Sequence, residues 1–314
     1  MKIVILEPIG LSQERTAQIR ADFEALNHEL IIYSNRPEND SEILKRAEFA
    51  DILLLSNLPV PEKVISSCKN LKMISVAFAG VDHLPMDYCR NNNILVCNAA
   101  GYSNHAVAEL TIGTAIDLYR KIDWNDSQTR ELSTREGFLG SELFGKTFGI
   151  IGTGQIGSQV AHLATAFGCK VLGYNRTSRN IPNVEFSSLE YLLKHSDIIS
   201  LHIPLSEDTK HLIHKENLML VKPTAIFVNT ARGPVIDYQA LSGALKTNKI
   251  AGAAIDVYEK EPPLAKSHPL LNAPNTILLP HIGYATKEAI ELRGKIVVDN
   301  IRKWIAGEPQ NVMN

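Results

Sequence analysis

Cysteine is scarce and scattered. Cys68, Cys89, Cys97 and Cys169 share no C-x-x-C spacing. Neither a zinc site nor a disulfide framework is suggested, and the expectation is a reducing, cytoplasmic setting with no metal. Charge bias is slight as well. The formal net charge is −2 and there is no long basic block, so no nucleic acid partner is expected. No apolar run approaches the ~20 residues that a membrane span needs, so no membrane partner is expected either. The opening run, MKIVILEPIG, breaks at Glu7 and Pro8; it is too short for a signal-peptide core and reads as a first strand. Short repeats and low-complexity tracts are missing. The chain stops at Asn314, which gives the expectation that no regulatory domain is appended.

What is present is core-forming material. With 45% hydrophobic and 21% charged residues over 314 positions, the chain can bury a substantial core, and its length suggests two domains. Short apolar runs alternate with helical patterns: KIVIL, ELIIY, ADILLLS, LKMISVA and NILVCN, then TFGIIGTG, CKVLGY, SDIISLHIP, TAIFVNTARG, KIAGAAIDVY and NTILLPHIG. Runs apolar throughout and separated by helices indicate parallel sheets covered on both faces. A helix is expected from about Asn104 to Tyr119, with Val107, Leu110, Thr114 and Leu118 on one stripe. Residues 123 to 146 read as an irregular polar connection or arm. Ile290, Val297, Ile301 and Trp304 mark a last helix, expected to pack back on the first unit because the second sheet is already finished.

The stretch GIIGTGQIGSQVA places Gly152-x-Gly154-x-x-Gly157 after a strand and at the start of a helix. In that context the glycines allow a tight turn, close approach of a pyrophosphate and close helix packing, while the helix N-terminus offers N–H donors. A dinucleotide is therefore expected here. Where the fingerprint usually has an acidic residue for the ribose, this chain has Asn175, followed by Arg176 and then Arg179. An arginine can pair with a 2′-phosphate that a carboxylate would repel. NADP(H) is favoured over NAD(H).

Ligands of parallel sheets bind beyond the carboxyl ends of the strands. Three runs exit there onto chemistry-bearing residues: AIFVNTARG onto Arg232, AGAAIDVYEKEPP onto Asp256 and Glu261, and TILLPHIG onto His281. Each alone is an ordinary polar residue leaving a strand. Together they form the set that reduction of a 2-oxo acid requires. Hydride addition to the carbonyl leaves an oxygen needing a proton, and histidine titrates in the useful range. A carboxylate neighbour, Glu261, favours the proton-loaded ring. The planar guanidinium of Arg232 suits the substrate carboxylate and can polarise the carbonyl.

Over essentially its whole length the chain resembles the D-isomer-specific 2-hydroxyacid dehydrogenases. The resemblance is carried by GIIGTGQIG, HIPLSEDTKHLI, VNTARGPVID, AGAAIDVYEKEPP and LLPHIG. It implies a flavodoxin-like substrate domain of residues 1–99 and 285–314, with a Rossmann dinucleotide-binding domain of residues 100–284 inserted in it, and a homodimer held partly by the helix and arm after residue 104. It implies catalytic roles for Arg232, Glu261 and His281. Backbone contacts to the pyrophosphate would come from Gln155 and Ile156, with Pro204 and Thr209 along the cofactor. Thr230, Asp256, His281 and Gly283 would lie near the nicotinamide. AFAGVDHL matches the family loop whose N–H groups, around Ala79, Gly80 and Val81, receive the substrate carboxylate.

The DHL after Gly80-Val81 and the NRT at Asn175 look like the glyoxylate/hydroxypyruvate reductase branch. Val76 stands where animal-type phosphoglycerate dehydrogenases often carry arginine, which weakens the alternative of an NAD-dependent D-3-phosphoglycerate dehydrogenase. A third alternative is a non-catalytic dinucleotide-sensing scaffold, like the corepressors of this fold. The remaining histidines share no metal-ligand spacing, and His202 is expected along the cofactor cleft.

Overall fold

The computed structural model describes residues 1–177 and 179–314. They form two compact units. Unit 1 comprises Met1–Ser103 and Ala285–Asn314, and unit 2 is the intervening segment Asn104–Tyr284.

Unit 1 is built on a five-stranded sheet of β1 (Lys2–Ile5), β2 (Glu29–Ile32), β3 (Ile52–Leu55), β4 (Met73–Val76) and β5 (Leu95–Cys97). Its spatial order is β2-β1-β3-β4-β5, all parallel, the flavodoxin-like arrangement. β3 and β4 are buried at every position, as expected of strands covered on both faces. The C-terminal helix Lys287–Ile305 packs against β4, and the Ser75 hydroxyl donates to the Val297 carbonyl at 3.0 Å. Its buried side includes Ala289, Arg293, Gly294, Val297, Val298 and Ile301, whereas Trp304 is only partly buried. The expected stripe of large residues thus runs off the contact face. Gly294 marks that face because a Cβ there would lie 2.3 Å from the Leu11 side chain.

Unit 2 carries seven parallel strands: β6 (Thr147–Ile151), β7 (Lys170–Tyr174), β8 (Val184–Phe186), β9 (Ile198–Leu201), β10 (Ile226–Asn229), β11 (Gly252–Ile255) and β12 (Thr276–Leu278). The order is β12-β11-β10-β9-β6-β7-β8. This is the Rossmann order extended by one strand, and its direction of winding reverses beside β6.

The helix Asn104–Arg120 packs along the helix Gln155–Ala166. Its buried residues are Val107, Ala108, Thr111, Ile112, Thr114 and Ala115, while Leu110 and Leu118 stay partly exposed. The buried face therefore does not coincide with the stripe of large residues.

Residues 123 to 146 are not wholly irregular. Ile122–Arg130 is a helix without a buried residue. It is supported by the Arg130–Asp126 ion pair at 2.7 Å and by Ser127 and Thr129 hydroxyls bonded back to carbonyls four residues earlier. Such local i,i+4 contacts leave no apolar periodicity to read.

Candidate active site

The glycine turn of residues 152–157 follows β6. Gly152 has φ +92°, and a Cβ there would lie 2.6 Å from the His202 carbonyl oxygen. At Gly157 a Cβ would meet the Gly152 oxygen at 2.0 Å, so helix and turn touch through that glycine. Gly154 differs: its Cβ would meet no protein atom within 4 Å, so packing does not demand glycine there. It lines a pocket of about 400 Å³ together with Gly152, Asn175, Arg176, Pro204 and Thr209. An open backbone at the head of a helix, facing a cavity of this size, fits a pyrophosphate. Gln155, the first helical residue, accepts a bond from the Asn104 side chain at 3.1 Å. Thr209 pins its own loop, with its hydroxyl donating to the Pro204 carbonyl at 2.7 Å. Ile156, on the same first turn, is half-buried.

Asn175, the first residue after β7, faces inward. Its side-chain oxygen accepts the Thr153 N–H at 2.7 Å and its amide meets the Thr153 hydroxyl. The carboxamide therefore braces the glycine turn. The cations flank the pocket: Arg179 donates to the Thr153 carbonyl at 3.3 Å, and the exposed Arg176 stands 3.7 Å from Asp208. His202 follows β9 and lines the same pocket, with Nε2 3.0 Å from the Ser200 hydroxyl. Burial pushes its pKa down to about 3, so the ring is neutral at physiological pH.

At the other end of the sheet edge, His281 lies three residues beyond β12 with φ +59°. Left-handed backbone is uncommon for any residue but glycine and costs about 1–3 kcal/mol. Asp256, immediately after β11 and 2% exposed, holds the turn by accepting the N–H groups of Ile282 at 2.7 Å and Gly283 at 2.8 Å. Burial raises the Asp256 carboxyl above its usual range, against the pull of those two donors and of the His281 ring. Gly283 is required sterically, since a Cβ would approach Asp256 Oδ2 to 2.9 Å. The ring itself is oriented by Glu261, whose Oε2 is 2.8 Å from Nδ1, and by the edge of Tyr284 at 5.5 Å between centroids.

Arg232, half-buried, lies three residues beyond β10, the next strand along. The loop that carries it is held by Asn229, which is 0% exposed. The Asn229 amide donates to the Arg232 carbonyl and the Tyr238 hydroxyl at 3.0 and 3.1 Å, and its oxygen accepts the Ala231 N–H at 3.1 Å. Thr230 pairs with Thr111 through their hydroxyls at 3.2 Å. In unit 1, Ala79, Gly80 and Val81 follow β4. The Ala79 carbonyl is bonded by the Asn98 side chain, and the adjoining loop is tied in by a 3.3 Å bond from the Val60 N–H to the His83 carbonyl.

The sequence reading missed Thr153, Asn229, Thr111 and Asn98 as site-building residues. Their one available signal is a polar residue at or just beyond the end of an apolar run, or on the packed face of a helix. Among the described residues no group of three His, Cys, Asp or Glu could hold a metal ion, and no helix is long and apolar enough to cross a membrane.

Residues 112–283 match the D-isomer specific 2-hydroxyacid dehydrogenase family in its NAD binding domain. The chain is 41% identical to D-3-phosphoglycerate dehydrogenase of Methanocaldococcus jannaschii over 87% of its length, but spans only about half, 53%, of that relative. It is 39% identical to glyoxylate reductase of Thermofilum pendens, covering 87% of this chain and 83% of the relative. An acyclic imino acid reductase, solved in complex with NADPH and D-Arg, superimposes with a TM-score of 0.92 at 32% identity over 100% of both chains. With a glycine turn at a Rossmann switch point and an imidazole–carboxylate pair on the same sheet edge, the chain belongs to the D-isomer-specific 2-hydroxyacid dehydrogenase family of NAD(P)-dependent oxidoreductases.

Proposed function

We propose that this enzyme reduces small 2-oxo acids of the glyoxylate/hydroxypyruvate type to D-2-hydroxy acids, with NADP(H) preferred over NAD(H). The observation that carries the reading is the 2.8 Å contact between Glu261 and the Nδ1 of His281, on a turn locked by Asp256. The nicotinamide, when bound, supplies the hydride. His281 Nε2 delivers the proton to the carbonyl oxygen, and Glu261 keeps the ring oriented for it. Arg232 pairs with the substrate carboxylate and polarises the carbonyl. Ala79, Gly80 and Val81 are the expected N–H donors to that carboxylate. Thr230, Asp256 and Gly283 are read as neighbours of the nicotinamide, and Gln155 and Ile156 as backbone donors to the pyrophosphate.

NADP(H) is supported by Arg176 and Arg179 flanking the pocket and by Asn175, which brings no negative charge to the place of a 2′-phosphate. The test is oxidation of NADPH and NADH across glyoxylate, hydroxypyruvate, pyruvate and phosphohydroxypyruvate. Turnover of glyoxylate or hydroxypyruvate with NADPH is expected. A preference for the phosphorylated acid with NADH would instead support the phosphoglycerate dehydrogenase alternative, and no turnover at all the scaffold. Arg176→Ala should raise the KM for NADPH about tenfold and leave that for NADH within about twofold, because only the former loses a charge-assisted bond at an exposed site.

The working form is read as a cytoplasmic homodimer. Leu132 is 95% exposed and Leu139 89%, on the arm that follows the helix Ile122–Arg130, and a second copy is the occupant proposed for this apolar surface. Light scattering should return about twice the 34.7 kDa chain mass; a mass near one chain would dismiss the dimer.

A further inference from the structure

A trans peptide carries its N–H opposite to the preceding carbonyl. Whatever fixes one carbonyl therefore aims the N–H of the next residue. Two hydrogen bonds do this at the loop after β4. The Ala99 N–H donates to the Phe78 carbonyl at 2.9 Å, which sets the N–H of Ala79. The Asn98 side-chain amide donates to the Ala79 carbonyl at 2.7 Å, which sets the N–H of Gly80.

Asn98 follows β5 directly and is 5% exposed. Its carboxamide can stand only one way round. A carbonyl oxygen faces it on one side and the Ala100 N–H, at 3.1 Å, on the other, so nitrogen must meet the first and oxygen the second. Its backbone is held equally firmly. The N–H donates to the Asn311 carbonyl at 3.1 Å, and the carbonyl accepts the Asn300 side chain at 2.8 Å. Asn300, 0% exposed on the C-terminal helix, is in turn bonded by the Asn311 amide at 2.9 Å. Burying the Asn98 and Asn300 side chains here is costly unless every bond is made, and an apolar residue at 98 would pack without that cost. The arrangement is explained by what it orients.

We propose that Asn98 is the positioning residue of the substrate-carboxylate cradle, acting through the Ala79 carbonyl to direct the Gly80 N–H toward the anionic end of a 2-oxo acid. This rests on the reading of Ala79–Val81 as that cradle. With the donor gone, the 79–80 peptide is free to rotate, and a rotated peptide offers a carbonyl oxygen to an anion. The consequence falls on oxo-acid binding and not on the nucleotide.

Steady-state kinetics of Asn98→Asp and Asn98→Ala test this, using the 2-oxo acid that the wild type turns over fastest. Asn98→Asp is isosteric and sets a carboxylate oxygen against the Ala79 carbonyl; Asn98→Ala only removes the donor. The KM for the oxo acid should rise about tenfold or more in both. The fall in kcat should be smaller, and the Kd for NADPH, read by fluorescence titration, should stay within about twofold. If Asn98→Asp does not fold, Asn98→Ala decides: lowered thermal stability with an unchanged oxo-acid KM overturns the role. Gly80→Pro deletes the cradle N–H itself and separates two failures. A raised KM in Gly80→Pro alone rejects Asn98 and keeps the cradle, whereas an unchanged KM with cofactor binding retained rejects the cradle.

Discussion

Replacing His281 by asparagine should lower kcat by about 10²–10⁴-fold, the range that a general acid–base group supplies, while the Kd for NADPH stays within about twofold. Asparagine is the informative substitution because the position has φ +59°, and asparagine tolerates left-handed backbone better than most residues. The turn held by Asp256 can then persist, and what is lost is the proton at Nε2. Glutamine or alanine would add backbone strain and confuse the two effects. Stopped-flow single turnover with bound NADPH separates chemistry from product release. A rate near that of the wild type would remove His281 from the mechanism and leave a dinucleotide-binding fold whose imidazole–carboxylate pair has another purpose.

Asp256→Asn should cost about 10²-fold in kcat although Asp256 transfers no proton in the proposed mechanism. The carboxylate accepts two N–H groups, from Ile282 and Gly283. An asparagine can accept only one and turns its own NH₂ toward the other. The strained turn relaxes, the imidazole shifts, and a displacement of about 1 Å is enough for a loss of that size. Thermal stability should fall as well, since an unsatisfied buried donor costs about 1–3 kcal/mol.

The pH dependence of that stability loss has a defined sign. Burial raises the folded carboxyl above its ordinary value. At pH values between the unfolded and folded pKa the folded state therefore holds a proton that the unfolded chain has already released, and above that window it is the carboxylate that accepts the two N–H groups. Its linkage contribution is full below the unfolded pKa and is lost as pH rises through the folded one. The stability deficit of Asp256→Asn should therefore be largest in acid and shrink as pH rises through that window. Chemical denaturation of both proteins at several pH values checks it. A deficit that grows with pH would show that the carboxyl titrates below its ordinary range and that the two N–H donors outweigh burial.

The features that could be read before any coordinates are those written in contiguous residues. Four-residue apolar runs such as ILLL in β3 and MISV in β4 declare strands buried on both faces. Gly152-x-Gly154-x-x-Gly157 declares its turn because steric exclusion acts between neighbours in the chain. The helix Ile122–Arg130 was not visible because polar i,i+4 contacts stabilise it and no apolar face repeats. The large residues of the helices Asn104–Arg120 and Lys287–Ile305 do not all mark the buried faces, because side-chain size stands out in a sequence, while closeness of packing depends on the opposing surface.

By itself the sequence determined two parallel α/β sheets, a glycine turn between a strand and a helix, and which polar residues leave which strands. Only the tertiary structure decided what those residues do there. Asn175 faces the glycine turn, Asp256 grips the turn that bears His281, and Asn98 holds the Ala79 carbonyl. The physical reason is that burial of an apolar run is a sum over its own atoms, whereas a hydrogen bond has a direction and needs a particular partner. Those partners lie 22, 26, 27 and 19 residues away along the chain.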